Sequence, residues 1–285
     1  MPIMKNVAIF GVGLIGGSFA LALRRAGYKG TILGVSSGST ITEAIKLGVI
    51  DSGATLDEAA SVADLVYLAQ PIRQIMKTIG LLAGKLKPDA LVTDVGSTKF
   101  EIVEQARRNL GPVAFLGGHP MAGKELRGVG AAEAGLFEGR TYFLCVHDQA
   151  VLDHPVAECL VEYIESFGAR PVLLGSEEHD RLVSFTSHLP QMASTALAAC
   201  LSRVLDPNSA RNGAGPGLGD MTRLAQSSYE LWADILFTNA RAVDRALDLY
   251  IQELQDIRLA LGRGEIGSTF EQAANFSGLM RKPRA

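Results

Sequence analysis

A histidine between glycines and a proline is the first feature of this 285-residue chain that could do chemistry. Gly117 and Gly118 tolerate positive φ angles and let a ligand approach the backbone closely. Pro120 disfavours helical geometry at His119, so the imidazole is expected in an extended turn after the buried apolar run 113–116. A strand-to-loop turn with an incidental histidine is the alternative.

Two further polar residues stand out in the second half of the chain. Arg223 is expected at the start of a helix, where its guanidinium can clamp a substrate carboxylate through two hydrogen bonds. An ion pair with Asp220 or Glu230 is the alternative role for this arginine. His188 interrupts an apolar helical stripe, and taken alone it is better explained as a core histidine bonded to a carbonyl group.

The segment 6–35 has the order of elements that a dinucleotide-binding turn requires. An apolar run, three glycines, a helical pattern and a second apolar run follow one another directly. Gly11 permits the tight turn, Gly13 lets a pyrophosphate approach the backbone, and Gly16 lets the helix pack close to the strand. A tight turn without a ligand is the alternative. The residues predicted to contact the cofactor here are Gly11, Gly13, Leu14, Ile15 and Gly16.

The end of the second strand indicates which cofactor is bound. NAD-binding domains usually place Asp or Glu there to hold the ribose 2′-hydroxyl. This chain has SSGST at 36–40, and its first acidic residue is Glu43. Because no carboxylate would repel a 2′-phosphate, the sequence favours NADP over NAD. Capping of the next helix is the alternative role for the serines. The other predicted cofactor contacts are Ser36, Ser37, Thr40, Gln70 and Pro71.

The elements that must position these residues alternate regularly along the first half. Strand-like runs and helices of ten to fifteen residues predict an α/β fold, an N-terminal Rossmann-type doubly wound, mainly parallel sheet over residues 1–175. Ligands bind outside the carboxyl ends of the strands in such sheets. Gly11, Gln70, Ser97 and His119 all fall at those ends, so His119 is expected to face the cofactor crevice.

The remainder, 176–285, is predicted as an all-α C-terminal dimerisation domain. Prolines and glycines predict a loop over 206–219, and Pro190 predicts a kink in the preceding helix. Apolar residues from Leu236 to Leu261 recur at alternating spacings of four and three, the pattern of a heptad seam. An ordinary long core helix is the alternative to a subunit interface. A small helical domain of this kind favours a homodimer.

Composition excludes several classes of partner. Hydrophobic residues make up 47% of the chain, charged residues 20%, and the formal net charge is −3. This balance favours neither nucleic acid nor a membrane as partner, and no stretch approaches the roughly 18 apolar residues of a membrane span. Three separated cysteines predict buried free thiols and a cytoplasmic location, and no metal site is predicted. The histidines assigned to solvent or helix capping are His147, His154 and His179.

Four motifs together identify a family that the chain resembles. They are DVGSTK at 94–99, GGHPMAG at 117–123, SHLP at 187–190 and DMTR at 220–223. With them, residues 5–262 resemble the prephenate/arogenate dehydrogenases of tyrosine biosynthesis. The resemblance implies oxidative decarboxylation of a cyclohexadienyl acid: prephenate would give 4-hydroxyphenylpyruvate, and arogenate would give tyrosine. It also implies a homodimer joined through the helical domain.

The resemblance assigns roles residue by residue. His119 matches the catalytic histidine, which takes the ring-hydroxyl proton as hydride leaves for the nicotinamide. Ser97 matches a serine that shares this contact. His188 matches a histidine of the substrate pocket, and Arg223 matches the arginine that binds the side-chain carboxylate.

This chain departs from the family pattern in ways that leave the exact substrate open. Many members have threonine and glutamate where this chain has Lys124 and Glu125. Both are therefore candidate substrate-binding residues, with Lys124 pairing either with a substrate carboxylate or with Glu125. Arogenate oxidation with NADP is the main alternative function.

Two more distant alternatives are a β-hydroxyacid dehydrogenase and a cofactor-sensing protein without activity. The β-hydroxyacid dehydrogenases use a lysine of the helical domain, but no lysine lies between Lys124 and Lys282. A cofactor sensor would not need Ser97, His119, His188 and Arg223 together.

Overall fold

The apolar runs of the first half form one eight-stranded sheet in the computed structural model, which describes residues 4–281. The strands are β1 (Asn6–Phe10), β2 (Thr31–Val35), β3 (Ser52–Gly53), β4 (Leu65–Leu68), β5 (Leu91–Asp94), β6 (Ala114–Pro120), β7 (Thr141–Cys145) and β8 (Arg170–Leu174). Their spatial order is β3-β2-β1-β4-β5-β6-β7-β8, and the β6–β7 pair is antiparallel while the other pairs are parallel. The predicted doubly wound, mainly parallel sheet is therefore confirmed.

Helices follow most of these strands and cover both faces of the sheet. They are α1 (Leu14–Arg25), α2 (Gly38–Lys46), α3 (Leu56–Val62), α4 (Ile72–Leu82), α5 (Phe100–Asn109), α6 (Pro155–Ser166) and α7 (Ser176–Val183). Central strand β1 shows why its sequence is apolar at every position. Val7 and Ile9 lie in one hydrophobic core and Ala8 and Phe10 in the other, so both faces of the strand are buried.

Strand β6 is longer than the sequence predicts, and His119 lies inside it instead of in the following turn. After its parallel pairing with β5, the strand continues and pairs antiparallel with β7, placing His119 opposite Phe143. The prediction of a turn was wrong because the glycines allow close packing here rather than a reversal of the chain. A Cβ atom on Gly118 would lie 2.4 Å from the Asp94 carbonyl oxygen.

From Ser176 to Arg281 the chain is mainly helical. The helices are α8 (Leu189–Val204), α9 (Pro207–Gly213), α10 (Pro216–Thr222), α11 (Tyr229–Thr238), α12 (Ala240–Arg263) and α13 (Gly267–Arg281). The loop predicted over 206–219 was wrong, because its prolines begin helices instead of ending them. Pro207 follows the Asp206 side chain, which caps α9, and Pro216 opens α10. Arg223 consequently follows the end of α10 and begins a short 3₁₀ helix, Arg223–Gln226, instead of an α-helix.

Two other helix predictions need correction. The irregularity predicted at Pro190 is a π-helical turn at Ser184–His188, and Pro190 lies in the first turn of α8, where its missing N–H costs nothing. The apolar seam predicted from Leu236 to Leu261 is interrupted at Asn239, where α11 ends and α12 begins.

The chain forms two compact units. The first comprises Met1–Val183 and Ser227–Asn239, and the second comprises Ser184–Gln226 and Ala240–Ala285. Both α7 and α11 belong to the first of these units. The domain boundary between 175 and 176 stays a prediction. Among residues 4–281, no helix combines the length and apolar character needed to cross a membrane.

The cysteines are unpaired thiols, as predicted. Cys145 is buried and Cys159 is half-buried, but Cys200 is exposed, contrary to the expected burial.

Candidate active site

A cleft of about 640 Å³ in the first unit collects several of the predicted site residues. It lies at the carboxyl ends of β4 and β5 and beside the last residues of β6, and α11 contributes to its wall. The predicted site residues that line it are Leu14, Ile15, Gln70, Pro71, Ser97, His119 and Lys124. The sheet therefore brings Ser97 and His119 to one cavity from two neighbouring strand ends.

A second cleft of about 440 Å³ adjoins the first and shares Gln70 and Pro71 with it. The predicted cofactor residues that line it are Gly11, Gly13, Ser36, Ser37, Thr40, Gln70 and Pro71. The two clefts meet where the strand order reverses between β1 and β4, which is where open α/β sheets bind nucleotides. Their arrangement fits a dinucleotide with its nicotinamide end in the first cleft and its adenosine end in the second.

The glycine turn has the geometry that a pyrophosphate requires. Gly11 has φ +91°, and a Cβ atom there would lie 2.7 Å from the Ala69 carbonyl oxygen. A Cβ atom on Gly16 would lie 2.3 Å from the Gly11 carbonyl oxygen. Gly13 faces open space, and no side chain caps the N-terminus of α1. The first N–H groups of the helix are thus oriented toward a position where an anion fits.

The two serines after β2 differ in their contacts. Ser37 caps α2: its hydroxyl oxygen accepts the Thr40 N–H at 3.4 Å and lies 2.8 Å from the Thr40 hydroxyl. Within the described residues, the exposed Ser36 hydroxyl forms no hydrogen bond. The second cleft is lined by neither acidic nor basic side chains. The helix-capping alternative therefore accounts for Ser37 but not for Ser36.

A buried ion pair supports the strand ends beneath Ser97 and His119. Asp94 and Lys99 are both fully buried, and the Lys99 ammonium donates to the Asp94 carboxylate and to the Gly118 carbonyl oxygen, the latter at 2.7 Å. The carboxylate also accepts the N–H of Gly96 at 2.7 Å and of Gly118 at 3.1 Å. Both backbone polar groups of Gly118, the neighbour of His119, are thereby held.

His119 is 8% exposed and contacts a second histidine. Its Nδ1 lies 2.8 Å from Nε2 of His179, which is fully buried on α7. Nδ1 of His179 lies 2.8 Å from the Asp180 carboxylate, and that carboxylate accepts the backbone N–H groups of Lys99 and Phe100. The expectation that His179 lies in solvent or caps a helix was wrong. By contrast, His147 is exposed and His154 caps α6.

Lys124 and Glu125 lie on the loop after β6 and are both exposed. The Lys124 ammonium pairs with the Glu133 carboxylate at 2.5 Å. Its ion-pair partner is therefore Glu133 and not Glu125, which was one of the two predicted partners. Glu125 is not among the residues that line either cleft.

His188 and Arg223 belong to the second unit. His188 is buried at the end of the π-helical turn. Arg223 is exposed at the start of a 3₁₀ turn that α8 holds in place. Gln191 donates to the Leu224 carbonyl oxygen at 2.8 Å, and the Ser194 hydroxyl accepts the Ala225 N–H at 3.1 Å. No ion pair joins Arg223 to Asp220 among the described residues of this unit.

Comparison with known proteins identifies the family. The model for the prephenate dehydrogenase nucleotide-binding domain matches residues 19–173, and the model for the prephenate dehydrogenase dimerization domain matches residues 175–273. The chain belongs to the prephenate dehydrogenase family. It is therefore a dehydrogenase that binds a nicotinamide dinucleotide, and the family acts in tyrosine biosynthesis.

Individual members of the prephenate dehydrogenase family agree with this assignment. The prephenate dehydrogenase of Lactococcus lactis subsp. cremoris is 34% identical over 262 residues, covering 90% of this chain and 72% of the relative. A crystal structure of the Aquifex aeolicus prephenate dehydrogenase with hydroxyphenyl propionate and NAD+ is 32% identical, with a TM-score of 0.86 and 96% coverage of both chains. Synechocystis arogenate dehydrogenase is 31% identical, with a TM-score of 0.83 and coverage of 96% of this chain and 98% of that chain.

The sequence of this prephenate dehydrogenase family member did not predict that His179, Asp180 and Lys99 support the site around His119. The run of acidic residues around His179 resembles an exposed first helical turn, so nothing local marks its burial. Lys99 carries a clearer signal: it ends the DVGSTK motif five residues after Asp94, and Asp94 directly follows the strand-like run 90–93.

Proposed function

We propose that this protein oxidises and decarboxylates prephenate to 4-hydroxyphenylpyruvate, with His119 accepting the proton of the ring hydroxyl. The observation that carries the proposal is the position of His119 beside Ser97 in the first cleft, next to the glycine turn. Bound oxidised nicotinamide supplies the hydride acceptor. Loss of CO2 then makes the ring aromatic, so the base returns its proton to the resulting phenol oxygen.

Ser97 is proposed to share the contact with the ring hydroxyl. Its side chain lines the same cleft as His119, and its hydroxyl forms no hydrogen bond within the part of the chain that the structure describes. A serine hydroxyl both donates and accepts, so it can bind the substrate oxygen before and after proton transfer. The buried Asp94–Lys99 pair supports both positions from below.

Lys124 is proposed to attract the anionic substrate to the cleft. It lines the cleft and is one-third exposed, and Glu133 balances its charge when the substrate is absent. A substrate carboxylate can compete for such an exposed ion pair because surface pairs are weak. The substrate-binding roles of Glu125, His188 and Arg223 stay predictions from the family resemblance.

NADP is the proposed preferred cofactor. The lining of the second cleft has no carboxylate to repel a 2′-phosphate, and Ser36 offers a hydroxyl donor there. NAD remains the alternative, because the second cleft also has no basic side chain to bind that phosphate.

Arogenate is the alternative substrate, and one assay distinguishes the four combinations. Prephenate and arogenate are each supplied with NAD and with NADP, and reduced nicotinamide is followed by absorbance. We expect the highest kcat/KM for prephenate with NADP. A preference for arogenate would replace the proposed substrate, and a preference for NAD would refute the cofactor proposal.

The role of His119 is tested by His119→Asn, with His147→Asn as the matched control at an exposed position. The variant should bind the dinucleotide normally while kcat falls by about 10²- to 10⁴-fold, the usual contribution of a general base. The control should keep the wild-type rate. Turnover of His119→Asn close to wild type would remove His119 from the reaction.

A homodimer through the helical unit is proposed as the assembly. Apolar side chains of α12 and α13 are strongly exposed in the single chain, including Leu254 at 47%, Leu261 at 61% and Phe270 at 68%. The dimerization-domain family model covers these residues. Sedimentation velocity at micromolar concentration should give the dimer mass, and a monomer would contradict the proposal. The cytoplasmic location stays a prediction from composition.

A further inference from the structure

The contact between His119 and His179 determines where the proton on His119 lies. We propose that His179 and Asp180 are positioning residues that hold His119 in the tautomer with its proton on Nδ1, so that Nε2 acts as the base. This inference rests on the proposed role of His119 and adds the groups that orient it.

The Asp180 carboxylate determines the orientation of the His179 proton. One carboxylate oxygen accepts the Lys99 N–H at 2.7 Å and the other accepts the Phe100 N–H at 3.0 Å. Nδ1 of His179 lies 2.8 Å from the same carboxylate. A carboxylate only accepts, so the His179 proton must be on Nδ1.

The tautomer of His179 then determines that of His119. A neutral imidazole with its proton on Nδ1 presents a lone pair at Nε2. That Nε2 lies 2.8 Å from Nδ1 of His119, so His119 must donate its Nδ1 proton across this contact. The opposite assignment would place two acceptors, Nδ1 of His179 and the Asp180 carboxylate, at hydrogen-bond distance with no proton between them.

Burial keeps His179 in the neutral state that this arrangement needs. Its side chain has no exposed area, and burial lowers its pKa although the Asp180 carboxylate opposes the shift. The Phe143 ring packs edge-on against His179, with 5.2 Å between ring centroids, and Asn239 donates to the Asp180 carbonyl oxygen at 2.8 Å. The ring and its helix are therefore held on several sides.

Proton uptake by His119 should strengthen the contact. When Nε2 of His119 receives a proton, the Nδ1–H···Nε2 bond becomes charge-assisted, and such bonds are stronger than neutral ones. The contact thus stabilises the imidazolium more than the neutral ring. The charged groups near the two rings are Asp94, Lys99 and Asp180 within the protein and Lys124, Arg127, Glu230 and Asp234 along the cleft.

The decisive measurement is the tautomer of His119 in the intact protein. Protein labelled with ¹⁵N-histidine should give a pyrrole-type Nδ1 and a pyridine-type Nε2 for His119 at neutral pH, with the signals assigned by comparison with His119→Asn. A pyridine-type Nδ1 for His119 in the wild type would overturn the proposal. This measurement needs no substrate and no folded variant of His179.

Kinetics of His179→Leu and His179→Gln test the consequence. The leucine variant lacks the acceptor, so kcat should fall by about 10- to 100-fold with little change in KM. Its acid limb, where activity is lost by protonation of His119, should move to lower pH by about one unit. The amide oxygen of the glutamine variant can accept from Nδ1 and should restore most of the rate. A merely structural role would not move the acid limb.

The exposed His147→Leu serves as the matched control and should keep the wild-type rate and pH profile. An unchanged acid limb in a folded His179→Leu would refute the positioning role. Failure of the proposed function is separable: no activity on either substrate, together with an Nδ1-protonated His119, would refute the reaction and leave the tautomer assignment standing. An active wild-type enzyme whose His119 carries its proton on Nε2 would refute the tautomer assignment and leave the proposed reaction standing.

Discussion

Replacement of Lys99 by methionine is expected to destabilise the first unit strongly. The substitution keeps a similar length and removes the ammonium that lies between the Asp94 carboxylate and the Gly118 carbonyl oxygen. Asp94 would retain its bonds from the Gly96 and Gly118 N–H groups. Its charge would stay fully buried without the compensating ammonium.

The size of the effect follows from that burial. Removing one partner of a buried ion pair typically costs about 3–5 kcal/mol, because it leaves an uncompensated charge in the interior. Total stabilities of about 5–15 kcal/mol make this a large fraction. For a unit of this size, each kcal/mol shifts Tm by roughly 2–4 °C, so we expect Tm to fall by roughly 6–20 °C.

Urea denaturation of Lys99→Met, Asp94→Asn and the double variant measures the coupling. The double variant should be more stable than Lys99→Met, since it no longer buries an unpaired carboxylate. Lys85→Met is the matched control, because Lys85 pairs with Asp57 on the surface with exposed fractions of 42% and 73%. The control should lose less than about 1 kcal/mol.

The pH dependence of the free energy of unfolding gives an independent check on this explanation of the destabilisation. Burial raises the pKa of Asp94, and the Lys99 ammonium opposes that rise. Without Lys99, the folded-state pKa should lie further above the unfolded value of about 3.9. Protonated Asp94 therefore adds stability at pH values below the pKa that it has in the unfolded chain. This contribution is lost as the pH rises through the higher pKa that Asp94 has in the folded protein.

The difference in free energy of unfolding between wild type and Lys99→Met should therefore be larger at about pH 8 than at about pH 5. A deficit below about 1 kcal/mol, or one that is constant over this range, would refute the burial argument.

Two further predictions concern ligand binding. Ser36→Asp should lower the NADP-to-NAD ratio of kcat/KM by about 10- to 100-fold, because the new carboxylate repels the 2′-phosphate. The control Thr42→Asp, on the outer face of α2, should leave this ratio unchanged. An unchanged ratio in Ser36→Asp would contradict the cofactor assignment. Arg223→Ala should raise the substrate KM by about 10- to 100-fold with a smaller effect on kcat, and the exposed Arg211→Ala should leave KM unchanged. An unaltered KM in Arg223→Ala would locate the carboxylate site elsewhere.

Features that depend on neighbours in the sequence were predicted well. The run from β1 through Gly11 and Gly16 into α1 is local, because the turn, the close helix packing and the helix start are each encoded within a few residues. The alternation of strands and helices likewise predicted the parallel sheet, and parallel strand ends necessarily bring Ser97 and His119 to one edge.

Predictions from proline and glycine were less dependable in the helical half. Pro207 and Pro216 were interpreted as helix breakers, yet each lies in a first turn, where a missing N–H is harmless. Composition alone does not distinguish a proline that ends a helix from one that begins it. The capping side chain of Asp206 was the local signal that favoured a helix start.

The sequence by itself determined the fold class, the cofactor turn and the identity of His119 as the residue to test. Tertiary structure alone decided what surrounds that histidine. His179 and Asp180 are 60 and 61 positions away in the chain, and only the packing of α7 beside β7 and α5 places them there. Hydrogen bonding depends on distances of about 3 Å, and those distances exist only once the elements have packed.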